Sequence, residues 1–152
     1  MAAIAPRSRR LLTIGYEGKT IKEFLGELIA GAVKTLLDVR ELPLSRKRGF
    51  SKRALAAELA EAGIDYVHLR ALGSPRDVRR KLYADGDYDA FFDAYRHYLV
   101  QQEDAIDDAL ALLDQGSVCL MCYEANHEKC HRSLVATSLE DRSKERVEVE
   151  HR

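Results

Sequence analysis

Three cysteines in 152 residues are too few, and too odd in number, for a disulfide framework. Free thiols in a reducing compartment are the expectation. No apolar stretch approaches the roughly 20 residues of a spanning helix, which excludes a membrane-crossing segment. Met1 to Arg10 carries arginines but lacks the apolar core of an export signal, so the expected location is cytoplasmic. A net charge of −1 excludes a global basic field that would recruit nucleic acid or anionic lipid, although a local patch remains open. Repeats, linkers and low-complexity segments are also missing. With 46% hydrophobic and 32% charged residues, the chain reads as a single folded domain over 1–152, with 1–10 as a flexible N-terminus.

What is present is an alternation of strands and helices. Leu11 to Ile14 reads as a strand stopped by Gly15. Thr20 with Glu23 forms a capping box for a helix striped by Phe24, Leu25 and Leu28 and ended at Gly31. Leu36 to Val39 is a second strand, Ser51 caps a second helix, and Ile64 to Leu69 is a third strand. Leu72 to Pro75 reads as a turn. The aromatic stripe from Tyr88 to Leu99 is helical, read as core or a dimer face, and is followed by one continuous helix or a break near Glu103. Val118 to Cys122 is the fourth strand, Leu134 to Leu139 lies in the last helix, and Arg146 to Glu150 alternates like an edge strand. This order predicts an α/β fold: a mostly parallel open sheet of about five strands with helices on both faces, a Rossmann-like three-layer arrangement.

Ligands of such sheets bind beyond the carboxyl ends of the strands, and the residues that packing does not explain fall in the loops there. The first loop, Gly15-Tyr16-Glu17-Gly18, lacks the third glycine of a dinucleotide fingerprint. It reads as a tight turn into a helix whose N-terminus can receive an anion. The second carries Arg40, Ser45, Arg46, Lys47 and Arg48 before Phe50. It is read either as a mobile solvated loop or as a phosphate-recognising one, with Phe50 able to stack on a base. Asp38 is expected to orient Arg40 or a loop amide. His68 sits near the end of the third strand, where a hydrogen-bonded core role is the simpler reading.

The fourth loop, Cys122 to Arg132, concentrates thiol, imidazole, carboxylate and guanidinium groups. Cys119 and Cys122 form C-x-x-C, but residues three apart on a strand face opposite sides, so Cys119 is assigned to the core. Asn126 is expected to cap the last helix and so to place Cys130 in or just after its first turn. There the dipole, His131 and Arg132 would lower a thiol pKa, while the alternative for Cys130 is core packing alongside Leu134. Adjacent Cys130 and His131 would diverge by about 100° on a helix. Metal binding by Cys122, His127, Cys130 and His131 is therefore not assigned, and no cofactor is expected. Glu124 is the candidate general acid or base, and Arg132 is expected to pair with Glu124 or a bound anion.

Together, Thr13-Ile14-Gly15-Tyr16, Asp38-Val39-Arg40 with Pro43, Ser45 and Phe50, Tyr66 with His68-Leu69, Leu72-Gly73, Cys122-Tyr123-Glu124 and Cys130-His131-Arg132-Ser133-Leu134 resemble a bacterial and archaeal family, the domain of unknown function 488. The resemblance runs from about Leu11 to Leu139 and implies a compact α/β domain, with no established reaction. Asn126-His127 stands where the family often has an acidic residue and proline, which keeps a capping residue and loses a rigid first turn. By analogy only, Leu37 to Glu41, with Cys122 and Arg132-Ser133, is similar to rhodanese-type sulfurtransferases. Here, however, the loop is longer and lacks small residues.

Two functional expectations follow. One is an anion site, with Gly15, Tyr16, Arg40, Ser45, Arg46, Arg48 and Arg132 holding a phosphate-bearing small molecule or nucleic acid. The other is a cysteine-dependent enzyme, rhodanese- or phosphatase-like by analogy, drawing on Cys122, Glu124, Cys130 and His131. A homodimer is possible through the Tyr88 to Leu99 face but is not indicated.

Overall fold

A computed structural model describes residues 9–152. The flexible N-terminus expected over 1–10 lies outside the described residues as far as residue 8, whereas Arg9 and Arg10 already belong to the first strand. The elements in order are β1 (Arg9–Gly15), α1 (Ile21–Ala30), β2 (Thr35–Asp38), α2 (Lys52–Glu61), β3 (Asp65–His68), α3 (Arg76–Asp85), α4 (Tyr88–Val100), α5 (Glu103–Gln115), β4 (Val118–Cys122), α6 (Arg132–Arg142) and β5 (Val147–His151). Single 3-10 turns occupy Arg70–Leu72 and His127–Lys129.

The five strands form one sheet in the order β3-β2-β4-β1-β5, and every pairing is parallel. The chain moves from β1 past the position of β4 to β2 and β3, then returns to insert β4 between β1 and β2. The alternation of the strands separates two cores. Leu12, Ile14, Leu36, Cys119 and Met121 face α1 and α2, with Phe24, Leu28, Leu55 and Leu59. Leu11, Leu37, Val118, Leu120 and Cys122 face α4, α5 and α6, with Tyr95, Ile106, Leu113, Val135 and Leu139. Helices that follow moves in one direction lie on one face and those of the return lie on the other, as right-handed crossovers require. Cys119 and Cys122 thus point into different cores, and the C-x-x-C pair is split as the strand period demands.

The capping box of α1 is formed, with Thr20 Oγ1 accepting from the Glu23 amide at 3.1 Å and Glu23 accepting from the Thr20 amide at 3.2 Å. Ser51 precedes α2 but makes no side-chain cap. Its hydroxyl instead accepts from the Ser45 amide at 3.0 Å and donates to the Ser45 carbonyl at 2.9 Å, pinning the basic loop to the helix start. The helical stretch after Tyr88 divides at Gln101 and Gln102 into α4 and α5.

Helix α3 was not foreseen from the sequence. Its stretch Arg76 to Asp85 has no buried residue, and its apolar stripe is confined to Val78 and Leu82, one turn apart among charged neighbours. The legible signs are Pro75 just before the helix and Gly86 just after it, with Gly86 in the left-handed conformation at φ 67°.

Candidate functional site

The insertion of β4 between β1 and β2 makes the carboxyl ends of three strands neighbours, and their loops converge there. A cavity of about 350 Å³ opens over this edge. Its floor is Cys122, Glu124 and His131, its wall is Tyr16 and Arg40, and its outer side is the α3–α4 hairpin with Arg79, Tyr83, Tyr88 and Phe91.

Asp38 and Arg40 build the wall. Asp38 is fully buried and accepts from Arg40 Nε at 2.9 Å, Arg40 Nη2 at 2.7 Å, the Arg40 amide at 3.1 Å and Tyr66 Oη at 2.7 Å. Arg40 Nη1 donates to the Phe50 carbonyl at 2.7 Å and reaches Tyr16 Oη at 3.4 Å. His68 Nε2 lies 2.7 Å from the Arg40 carbonyl, and since a carbonyl only accepts, that nitrogen carries the proton. The expectation that Asp38 orients Arg40 is met, and it removes Arg40 as a free phosphate fork.

The other expected anion residues are dispersed. Arg46 and Arg48 are exposed and do not line the cavity. The Ser45 hydroxyl is occupied by the Lys47 amide at 3.0 Å. Phe50 is fully buried and stacks on Tyr16 with centroids 4.6 Å apart, so it offers no face to a nucleobase. Lys47 Nζ donates to the Tyr16 carbonyl at 3.0 Å, so the loop is braced against β1. Gly15 contributes closeness: Tyr16 and Glu17 amides donate to the Cys122 and Tyr123 carbonyls at 3.2 and 2.8 Å. Besides Arg40, the cations that line the cavity are Arg79 and Lys129, which were absent from the sequence-based set. Arg79 arrives on the unforeseen α3 and pairs with Glu41 at 3.3 Å.

The fourth loop differs from expectation in its helix start. Asn126 caps the 3-10 turn, accepting from the Glu128 amide at 2.9 Å, and α6 begins only at Arg132. Cys130 is therefore extended (φ −134°, ψ 140°) and precedes the helix. The helical divergence of Cys130 and His131 does not apply. Instead Cys122 Sγ, Cys130 Sγ and a His131 ring nitrogen all lie within 4.8 Å of one another. His127 is elsewhere, stacked on His151 at 3.8 Å.

The sulfurs of Cys122 and Cys130 are in bonding contact, which corrects the expectation of three free thiols; among the described residues Cys119 alone is free. The Cα atoms of the pair stand 7.6 Å apart, wider than the roughly 4.4–6.8 Å that disulfides span. Around the pair, Cys122 Sγ lies 3.3 Å from Arg132 Nη1 and 3.4 Å from Glu124 Oε2. Cys130 Sγ receives the Arg132 amide at 3.5 Å and sits 3.9 Å from His131 Nδ1. Burial pushes the Glu124 carboxyl above its ordinary range and His131 down to about 4, so the imidazole is neutral near pH 7. His131 Nε2 donates to the Val39 carbonyl at 2.7 Å. That bond fixes the proton on Nε2 and leaves the Nδ1 lone pair turned toward the sulfurs.

Arg132 is fully buried, yet its partners are not a carboxylate. Nη1 donates to the Glu124 carbonyl and Nη2 to the Ala125 carbonyl at 3.2 Å, while Nε has no partner among the described residues. The expected pairing with Glu124 is made through its main chain. Replacing Arg132 with Met keeps most of the volume and strips two loop carbonyls of their donor. A stability loss of about 2 kcal/mol is expected in urea unfolding, with the Ala125 amide losing hydrogen-exchange protection. Wild-type stability together with wild-type protection would remove Arg132 as the tether of this loop.

Comparison with known proteins returns one family. The sequence pattern described as Domain of unknown function DUF488 matches residues 20–139, which run from α1 into α6 and include every sulfur and imidazole of the site, with β1 outside the match. No curated protein and no solved structure matches. The all-parallel α/β architecture and the family pattern agree with the resemblance drawn from Asp38-Val39-Arg40 and Cys130-His131-Arg132, and the chain belongs to the DUF488 family.

Proposed function

We propose that this protein is a cysteine-dependent enzyme in which Cys122 is the nucleophile, acting on a small polar substrate admitted to the cavity. The observation that carries the reading is the setting of the Cys122 sulfur. It lies at the cavity floor, 3.3 Å from a buried guanidinium nitrogen, where a positive charge in a low dielectric favours the thiolate. In the reduced protein Cys130 backs it as a second thiol, with His131 Nδ1 3.9 Å from the Cys130 sulfur. Glu124, held more readily protonated by burial, is suited to return a proton to a leaving group. Arg79 and Lys129 at the cavity margin favour a substrate with negative charge, which keeps the anionic part of the sequence reading with different residues.

The test is alkylation of the fully reduced protein at pH 7 by iodoacetamide, located by mass spectrometry. A free thiol is only a few per cent ionised there, so Cys122 is expected to react about tenfold faster than a cysteine peptide. Cys119 is expected to stay silent, since burial pushes its thiol up. Alkylation of Cys122 at or below the peptide rate would end the nucleophile assignment.

A further inference from the structure

We infer that the reduced protein binds one thiophilic divalent cation of the zinc class through Cys122 Sγ, Cys130 Sγ and His131 Nδ1, with the fourth position facing the cavity beside Glu124. The inference goes beyond the proposed function and does not depend on it, although both use the same thiolates.

Distances come first. A tetrahedral zinc with Zn–S near 2.3 Å and Zn–N near 2.0–2.1 Å sets its donor atoms about 3.5–3.8 Å from one another. Cys130 Sγ and His131 Nδ1 stand 3.9 Å apart and all three donors fall within 4.8 Å; the two sulfurs are in bonding contact, so the ion requires the pair reduced and its sulfurs drawn apart. The 7.6 Å between the Cα atoms of Cys122 and Cys130 is wider than a disulfide prefers. Two Zn–S bonds reach further than one S–S bond, so an ion between the sulfurs suits that span. Two thiolates and an imidazole are also the donor set that soft and borderline ions select.

The surroundings are those of a metal ligand set. The Nε2–H of His131 is held by the Val39 carbonyl at 2.7 Å, the outer hydrogen bond that orients a ligating imidazole and fixes its tautomer. The Arg132 amide and Arg132 Nη1 approach Cys130 Sγ and Cys122 Sγ at 3.5 and 3.3 Å, as donors do around metal-bound thiolates. Arg132 is a fully buried cation whose side-chain partners are two carbonyls and a sulfur, with Nε unpartnered among the described residues, so a thiolate at Cys122 meets a positive charge at 3.3 Å.

The test uses the full chain, reduced and then freed of reductant under anaerobic conditions, titrated with Co²⁺ and followed by absorption. The expected result is a sulfur-to-cobalt charge-transfer band with tetrahedral d–d bands, saturating at one ion per chain and displaced by Zn²⁺. Cys122→Ser and Cys130→Ser should each weaken binding by tenfold or more. His131→Asn should weaken binding and shift the d–d bands, with far-ultraviolet circular dichroism showing that each variant is folded. No charge-transfer band in folded, reduced protein would overturn the inference, as would a band unchanged by Cys130→Ser. Alkylation separates the two readings. Fast Cys122 alkylation without any cobalt band defeats the metal site and leaves the nucleophile. A cobalt band with metal-free Cys122 alkylating at the peptide rate does the reverse.

Discussion

Asp38→Ala is expected to remove about 3–5 kcal/mol of stability, the usual cost of deleting one partner of a buried ion pair. Arg40 is only 7% exposed, and without Asp38 it keeps a buried charge whose remaining partners are the Phe50 carbonyl and Tyr16 Oη. The loss is large against the 5–15 kcal/mol that holds a typical domain. Its consequences are directional. Arg40 joins the end of β2 to Phe50 at the far end of the basic loop, and Phe50 stacks on Tyr16 at the end of β1. The loosened parts should therefore be the two loops that wall the cavity, while the α5–α6 side is retained. Asp38→Asn keeps one acceptor but gives up the two-oxygen, charge-assisted fork, and an intermediate loss of roughly 1.5–3 kcal/mol is expected. Urea unfolding reads both variants, with the slope unchanged if only stability moves. A loss under about 1 kcal/mol for Asp38→Ala would show that the pair organises nothing.

Gly15→Ala is expected to cost about 3 kcal/mol, at the upper end of overpacking penalties. A Cβ built at Gly15 would stand 1.7 Å from the Glu124 carbonyl oxygen and 2.3 Å from its carbon. Both are main-chain atoms, so no side-chain rotation relieves the overlap. The loop after β4 must then move off β1, and with it Cys122 and Glu124. Unfolding by urea and the rate of Cys122 alkylation should both change. Gly26→Ala is the control: it is exposed within α1, nothing lies within 4 Å of its Cβ, and helix propensity predicts a gain of up to about 1 kcal/mol. Equal stabilities for the two variants would sink the close-approach argument.

Gly15 also shows where the sequence stopped being legible. A glycine after a strand could be read as a turn or as an anion site, and its actual role is contact with a residue more than a hundred positions away. The strands were legible because β2 and β4 are short apolar runs and because α1 announces itself with Thr20 and Glu23. Helix α3 was not, because its apolar stripe is only Val78 and Leu82 in a strongly charged segment that has no buried residue. Arg79, which α3 brings to the cavity, was lost with it. Arg40 and Arg132 were legible as important cations, but their role was misread. A guanidinium that binds phosphate and one that ties loop carbonyls have the same spelling, and burial decides between them.

The sequence by itself determined every strand and every helix but α3, their alternation, the resulting parallel sheet, and the edge at which chemistry-bearing residues collect. Periodicity, capping and strand direction are local properties, and they suffice for that. It also separated Cys119 from Cys122, because a two-residue period is built into any strand. Tertiary structure alone decided which of the collected residues meet. It placed Cys130 before α6 rather than on it, turned the His131 Nδ1 lone pair to the sulfurs through a bond to Val39 just past β2, and spent Arg40 and Phe50 internally. Those outcomes depend on backbone angles at one or two positions and on partners distant in the chain, and neither is encoded in the spacing of residue types.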